Sequence, residues 1–218
     1  MLQNLKKYMP FDGLILDVDG TLWDSTSIVA DAWTKAVREN GCEDLTITAD
    51  MLKQLFGKTM NVIADLLLPE LSAEERCHIM DVCCKYEHRA LEENECHICY
   101  SKVVDTIQTL SEKLPVFIVS NCQSGYIELF LEKTKLSSYI KDIECFGNTG
   151  KKKGENIRLL MERNHLKHPV YVGDTQGDRD ASDEAEIPFI FASYGFGNVE
   201  DKDGQIDEFS ELLQLICE

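Results

Sequence analysis

The sequence predicts an α/β fold: a doubly wound parallel sheet interrupted by one all-helical insertion. Short β-branched or aromatic runs alternate with amphipathic helical patterns, which is the order expected of parallel strands joined by right-handed crossovers. The proposed strands are continuously apolar, as in a sheet whose two faces are both buried. A long stretch near the N-terminus contains only helical patterns, and this stretch predicts the insertion.

Five apolar runs predict the strands. Three of them follow a proline, which is tolerated at the first residue of a strand because its missing N–H need not join the ladder. These three runs occupy residues 116–119, 170–172 and 189–191. A fourth run, Gly13–Leu16, directly precedes Asp17, and a weaker fifth run covers residues 143–146.

Apolar residues recur at helical spacing between the later strands. They are Val103, Val104, Ile107 and Leu110; Ile127, Phe130 and Leu131; and Ile157, Leu160 and Met161. In open sheets of this kind, ligands bind outside the carboxyl ends of the strands. The residues that follow each strand are therefore the candidates for chemistry.

The insertion is predicted to span residues 25–96, which divides the rest into a discontinuous core of residues 1–24 and 97–218. A first helical pattern covers residues 28–37 and is stopped by Gly41. Shorter patterns cover residues 51–55 and 62–67. Ser72 and Glu75 have the spacing of a capping box that opens a fourth helix.

Composition limits the classes of partner. Of the 218 residues, 44% are apolar and 28% charged, as in ordinary globular proteins, and the net charge is −17. Such a charge disfavours nucleic acid and anionic membranes, because basic residues group only at 151–153. No apolar run is long enough for a signal peptide or a membrane span. We therefore predict a cytoplasmic protein, as a monomer or weak homo-oligomer.

The nine cysteines are then predicted to be reduced thiols. Cys96 and Cys99 have a spacing that metal pairs use, but no second pair lies at a matching distance, and a structural zinc site needs about four ligands. Nearby cysteines and histidines keep zinc open as an alternative. Small apolar fillers beside a polar linker are the simpler interpretation.

Polar groups follow four of the predicted strands. Asp17 and Asp19 follow the first, Ser120-Asn121 ends the second, lysines 151–153 follow the weak strand, and Asp174 with Asp178 follows the run 170–172. Carboxylates brought together at one sheet edge repel each other unless a cation joins them. Oxygen ligands suit a hard ion such as Mg2+, which keeps waters for a substrate phosphate.

These four segments resemble the motifs of the haloacid dehalogenase superfamily, in the same order and over nearly the whole chain. The run Asp-Val-Asp-Gly-Thr at 17–21 is similar to the first motif and Gly-Asp-Thr-Gln-Gly-Asp at 173–178 to the fourth. The resemblance implies a Rossmann-like core with an inserted helical cap, close to the phosphoglycolate phosphatase and β-phosphoglucomutase-like branch. It also implies a small phosphorylated metabolite as substrate.

The resemblance further implies a role for each residue. Asp17 would attack phosphorus and form an aspartyl-phosphate, while Asp19 would protonate the leaving oxygen and then deprotonate water. Because alternate residues of an extended segment point to opposite faces, the backbone must turn just past Asp17, and Gly20 could aid that turn. Thr21 or Ser120, with the backbone N–H of Asn121, would hold the phosphoryl oxygens.

The implied metal ligands are Asp17, the carbonyl oxygen of Asp19 and Asp174. Asp178 would either bind the metal directly or hold one of the groups that bind it. A lysine would screen the charge between nucleophile and phosphate. The lysine run leaves the register open, and we assign Lys153, ahead of Lys152, because it opens the helix start at residues 154–157.

Lys58 lies between two insertion helices, where relatives have a loop that dips toward the site. It is the candidate for a second contact with substrate, although an exposed loop lysine is an equal alternative. A Schiff-base lysine like that of phosphonatase relatives is disfavoured, because the surrounding residues do not match.

The leading hypothesis is a magnesium-dependent phosphatase. A dehalogenase is disfavoured, since cleaving a carbon–halogen bond needs neither the second carboxylate nor a metal. A phosphomutase of the same fold and a phosphate-binding regulator without turnover remain alternatives, although a mere binder has no use for an acid/base pair.

Overall fold

The computed structural model describes residues 5–95 and 98–217, which form a six-stranded parallel sheet in the order β3-β2-β1-β4-β5-β6. The strands are β1 (Gly13–Leu16), β2 (Val116–Ser120), β3 (Ile140–Cys145), β4 (Pro169–Gly173), β5 (Phe189–Ala192) and β6 (Gly204–Ile206). The strand β1 is central: β2 and β3 extend the sheet on one side of it, and β4, β5 and β6 extend it on the other. The predicted α/β fold class is confirmed.

Ten α-helices accompany the sheet within the described residues. They are α1 (Thr26–Glu39), α2 (Ala49–Leu55), α3 (Met60–Leu67), α4 (Ala73–Glu93), α5 (Val103–Ser111), α6 (Tyr126–Thr134), α7 (Phe146–Thr149), α8 (Lys153–Asn164), α9 (Gln176–Ala185) and α10 (Leu212–Cys217). Short 3-10 helices occupy Lys6–Tyr8 and Phe209–Glu211. Within residues 5–95 and 98–217, no helix has both the length and the apolarity that crossing a membrane demands.

The strands β1, β2, β4 and β5 are buried on both faces, as the continuous apolar runs predict. On β1, Leu14 and Leu16 belong to the larger hydrophobic core, whereas Ile15 packs on the other face with Phe117 and Tyr171. Two strands differ from the prediction. β3 begins at Ile140 and ends before Phe146, which opens α7 instead, and the short β6 carries no apolar run that would have revealed it.

The helices α1 to α4 are inserted between β1 and the helix that leads to β2. The segment that leaves the sheet region and the segment that returns to it lie side by side. Two hydrogen bonds join them: the Asp24 N–H donates to the Ile98 carbonyl at 2.9 Å, and the Tyr100 N–H donates to the Leu22 carbonyl at 3.0 Å. The proposed division at residues 24 and 97 stays a prediction, and its boundary residues Cys96 and His97 lie outside the described residues. The zinc alternative therefore stays untested at Cys96.

The insertion packs around α1 and α4. The capping box of Ser72 and Glu75 opens α4, as predicted. In α3 the predicted apolar stripe is only partly buried: Ile63 is covered, whereas Val62 and Leu66 are 40% and 55% exposed. A helix this short has one narrow inner face, so the pattern identified the helix but overestimated how much of it packs.

Candidate active site

Asp17 and Asp19 lie just beyond the carboxyl end of β1. The Asp17 N–H still joins the ladder, donating to the Val172 carbonyl at 2.9 Å, and the side chain is buried. The chain then turns, with the N–H groups of Thr21 and Leu22 both donating to the Val18 carbonyl. This turn brings the two carboxylates to the same pocket although they are two residues apart.

Gly20 makes the turn possible. Its φ is +81°, and a Cβ built at this position would overlap the carboxylate of Asp174. The glycine therefore allows β1 and the loop after β4 to meet closely enough for their acidic side chains to share one site.

We expect Gly20→Ala to be strongly destabilising, and Gly41→Ala is the matched control. Gly41 also has a positive φ, +96°, but nothing lies within 4 Å of its built Cβ. The control should lower the free energy of unfolding by about 1–2 kcal/mol, the cost of a left-handed backbone at a residue with a Cβ. Gly20→Ala should lower it by about 1–3 kcal/mol more, because the added methyl group overpacks the site. Denaturant unfolding measures both, and equal losses would contradict the close approach.

Lys153 lies at the first turn of α8 and is almost fully buried. Its ammonium is 2.8 Å from Asp17 Oδ1 and 2.6 Å from Asp178 Oδ1. Burial alone would lower the pKa of Lys153, but the charges of these two carboxylates raise it overall, so the ammonium is retained. Lys151 and Lys152 are exposed, and Lys151 pairs with Glu155 on the surface. The ammonium at the carboxylates is thus that of Lys153.

Asp178 is held entirely by the protein. Oδ1 accepts from Lys153, and Oδ2 accepts from the N–H groups of Asp174 and Thr175 and from the Thr175 hydroxyl. Although burial opposes ionisation, the charge of Lys153 lowers the pKa of Asp178 below its usual value. The carboxylate therefore holds the lysine and the loop after β4 in position.

Asp174 lies beside this pair and is fully buried. Its Oδ2 accepts from the Phe196 N–H at 2.6 Å, and its Oδ1 lies 3.4 Å from the Thr21 hydroxyl. Burial, followed by the negative charges of Asp178 and Asp17, raises its pKa well above the usual value. An ionised carboxylate in this environment needs a nearby cation.

One oxygen from each of Asp17, Asp174 and Asp178 lies within 4.8 Å of the others. Carboxylate oxygens are the ligands that Mg2+ prefers, so the donor set fits this ion. Oδ1 of Asp17 accepts one hydrogen bond from Lys153, which leaves its second lone pair for a metal and Oδ2 for a substrate. Because both oxygens of Asp178 already accept hydrogen bonds from the protein, Asp17 and Asp174 are the carboxylates better placed as ligands.

Asp19 is positioned by three donors that the motif did not reveal. Its Oδ1 accepts from Trp23 Nε1 at 3.0 Å, from the Ser25 hydroxyl at 2.8 Å and from the Tyr126 hydroxyl at 2.7 Å. All three use the same oxygen, which leaves Oδ2 to face a substrate. Burial raises the pKa of Asp19 to about 6, and the three hydrogen bonds oppose that rise. A carboxyl group with such a pKa can give and take a proton near neutrality.

The two carboxylates open into a pocket between the sheet edge and the insertion. Ser120, Asn121 and Lys58 line it as well. The cavity volume is about 30 Å3, room for about two or three water molecules, so a metabolite needs more space than the cavity has in this structure. Thr21 is buried against Asp174, which leaves Ser120 as the hydroxyl facing the pocket.

One hydrogen bond links the insertion loop to this site, and a second stays within the insertion. The side-chain amide of Asn121 donates to the Gly57 carbonyl at 2.7 Å, across the gap between β2 and the insertion. Lys58 is exposed, and its ammonium donates to the Gln54 carbonyl at 3.0 Å. Lys58 therefore lies at the rim of the pocket, and its contact with substrate stays a prediction.

Glu87 is a site residue that the sequence did not identify. It lies on α4, is 3% exposed and lines the same pocket. Its oxygens accept from Trp33 Nε1 at 2.7 Å and from Gln123 Nε2 at 2.8 Å. The available signal was a carboxylate on the apolar face of the α4 pattern.

The family model described as haloacid dehalogenase-like hydrolase matches residues 14–192. The chain belongs to the haloacid dehalogenase-like hydrolase family. A phosphoglycolate phosphatase from Photobacterium profundum is 24% identical, with 97% of this chain and 98% of the relative covered. A phosphoglycolate phosphatase from Aquifex aeolicus is 25% identical over 93% of this chain and 95% of its own length. The family resemblance predicted from the motifs is confirmed.

Solved structures share the fold of this haloacid dehalogenase-like chain. A haloacid dehalogenase-like family hydrolase from Streptococcus pneumoniae superposes with a TM-score of 0.81 at 18% identity, covering 94% of this chain and 97% of that one. A protein described as a "predicted phosphatase" from Clostridium acetobutylicum gives 0.82 at 19% identity, with 95% and 98% covered. At these identities the likeness extends to the fold alone.

Proposed function

We propose that this hydrolase is a magnesium-dependent phosphatase that cleaves a small phosphorylated metabolite through an aspartyl-phosphate. The observation that carries the proposal is the contact between Lys153 and Asp17 at 2.8 Å, beside Asp174, at the carboxyl edge of a parallel sheet. The names of the curated relatives, phosphoglycolate phosphatases, support the same reaction class.

Asp17 is the proposed nucleophile. Burial raises its pKa to about 7, and the adjacent Lys153 ammonium opposes that rise and favours the carboxylate that must attack. Oδ1 is fixed by the lysine, so Oδ2 can form the bond to phosphorus as the ester oxygen leaves. Ser120, 5% exposed at the end of β2, would hold a phosphoryl oxygen together with the Asn121 backbone N–H.

Asp19 is the proposed acid and base. Its protonated Oδ2 would give its proton to the departing alkoxide, and the resulting carboxylate would then take a proton from the water that attacks the aspartyl-phosphate. Trp23, Ser25 and Tyr126 hold Oδ1 through both steps. These donors favour the ionised form and so limit the rise in pKa that burial causes.

Asp17 and Asp174 would hold the magnesium ion, with Asp19 contributing its backbone carbonyl as the resemblance implies. When bound, the ion offsets the mutual repulsion of these carboxylates and the negative charge of the phosphate. Asp178 keeps Lys153 and the loop after β4 in place beside them.

The test is hydrolysis of 4-nitrophenyl phosphate after removal of metal with a chelator. We expect no turnover until Mg2+ is added, and inhibition by Ca2+, whose larger and looser ligand shell would misplace the nucleophile. Asp174→Asn should raise the Mg2+ concentration for half-maximal activity by at least about tenfold. Asp180→Asn, an exposed acid on the adjacent α9, is the control.

Full turnover in excess chelator would contradict the magnesium requirement. Isomerisation of a sugar phosphate without release of phosphate would favour the phosphomutase alternative. Zero turnover across a broad panel of phosphate esters with Mg2+ would favour a phosphate-binding regulator.

A further inference from the structure

Glu87 is a buried carboxyl group that has no cationic partner in the part of the chain that the structure describes. Among residues 5–95 and 98–217, no lysine or arginine forms an ion pair with it, and its two hydrogen-bond donors, Trp33 and Gln123, are neutral. Burial, with a contribution from the charge of Asp19, raises its pKa to about 8. A buried carboxyl group without a counter-charge is costly to ionise, and a cation bound beside it in this pocket would favour its ionised form.

The same pocket contains a second acceptor that lacks a donor. Asn121 Oδ1 is buried and has no hydrogen-bond partner among the described residues. The amide is oriented in this structure by its nitrogen, which donates to the Gly57 carbonyl. The oxygen is therefore left for a donor that the described part of the protein does not supply.

The rest of the pocket wall combines apolar and acidic side chains with neutral polar ones, Ser120, Gln123 and Tyr126. Trp33, Phe56, Met60 and Ile63 provide the apolar surface. Of the described residues that line the pocket, Lys58 alone is basic, and its exposed ammonium already donates to the Gln54 carbonyl. A leaving group with a carboxylate would meet the acidic side chains of Asp19 and Glu87, and the described lining residues offer it no buried lysine or arginine.

We propose that the alcohol part of the substrate carries a protonated amine, which Glu87 binds and for which Asn121 Oδ1 provides a further acceptor. The proposal rests on the phosphatase function, since the phosphate end must be held at Asp17 for the amine to reach this wall. It makes Glu87 a residue that determines specificity, and it separates this chain from enzymes whose leaving group is an anion such as glycolate.

Three esters that differ only at one end of a two-carbon alcohol provide the test. They are 2-aminoethyl phosphate, 2-hydroxyethyl phosphate and phosphoglycolate, which are cationic, neutral and anionic at that end. Their dissociation constants are measured by calorimetry with Mg2+ on the Asp17→Asn protein, which retains the pocket and cannot turn them over. Binding is thus tested apart from catalysis, and wild-type hydrolysis of 4-nitrophenyl phosphate tests the phosphatase function separately.

We expect 2-aminoethyl phosphate to bind at least about tenfold more tightly than either of the other esters, because a site built around a polar group rejects analogues that lack it. Adding Glu87→Gln, which keeps the shape but removes the charge, should abolish this preference and leave 2-hydroxyethyl phosphate nearly unchanged. Glu92→Gln, an exposed acid on the same helix, should change none of the three constants.

Equal or tighter binding of 2-hydroxyethyl phosphate or phosphoglycolate would overturn the proposal. So would a preference for the amine that survives Glu87→Gln. The ranking on the parent protein needs no change at Glu87, and it decides the matter even where the Glu87 variant does not fold.

Discussion

Asp17→Asn is expected to reduce kcat by more than about 10^4-fold, the scale of loss seen when a covalent nucleophile is removed. The amide has nearly the same shape as the carboxylate, but it cannot form the acyl phosphate. Its oxygen can still accept from Lys153 at the position of Oδ1, so the fold should survive. Phosphate release from 4-nitrophenyl phosphate measures the loss, and circular dichroism measures the retained structure.

Beryllium fluoride offers a second readout of the same assignment. With Mg2+ it should bind to the wild-type protein beside Asp17 and raise its melting temperature, whereas Asp17→Asn should show no such rise. Asp31→Asn, an exposed acid on α1, should behave as wild type in both assays. A variant at Asp17 that kept a tenth or more of the wild-type kcat would show that another group attacks phosphorus.

Lys153→Met is expected to have the second-largest effect, on stability as well as on turnover. Methionine fills much of the same space but leaves Asp17 and Asp178 as buried carboxylates that have lost their shared ammonium. Removing one partner of a buried ion pair costs about 3–5 kcal/mol. For a chain of this size, that corresponds to a melting temperature lower by roughly 10 °C.

Lys152→Met is the matched control, since it lies next along the chain but is exposed. It should change the free energy of unfolding by no more than about 0.5 kcal/mol. The comparison also tests the register of the lysine run. If Lys152→Met were the inactive variant and Lys153→Met the active one, the assignment would be reversed.

The sequence predicts the sheet well where strands are buried on both faces. The runs at β1, β2, β4 and β5 are continuously apolar because neither face meets water. β6 is different: it has three residues, it begins with Gly204, and its pairing with β5 depends on backbone groups that carry no side-chain signal. Its place in the sheet could not be derived from local pattern.

The residues of the candidate site also fall into two groups, those that local sequence pattern predicts and those that it does not. Asp17 and Asp174 could be predicted because each follows a recognisable strand, and parallel strands meet at one edge. Glu87 and Trp33 are 54 residues apart, and Gln123 is 36 residues beyond Glu87, so their contacts arise only when α4 packs against α1 and over the core. Tyr126 reaches Asp19 across 107 residues. Such contacts depend on tertiary packing, which the spacing of residues along the chain does not predict.

The two segments that join the insertion to the core are bonded to each other, and this affects how the insertion can change during evolution. Leu22 and Asp24 on the outgoing chain bond directly to Tyr100 and Ile98 on the returning chain, so the two ends of the insertion are clasped together at the core. A segment whose ends already meet can lengthen, shorten or be exchanged without altering the distance that the core must span. The reaction chemistry at the sheet edge and the recognition surface above it can therefore evolve as separate modules.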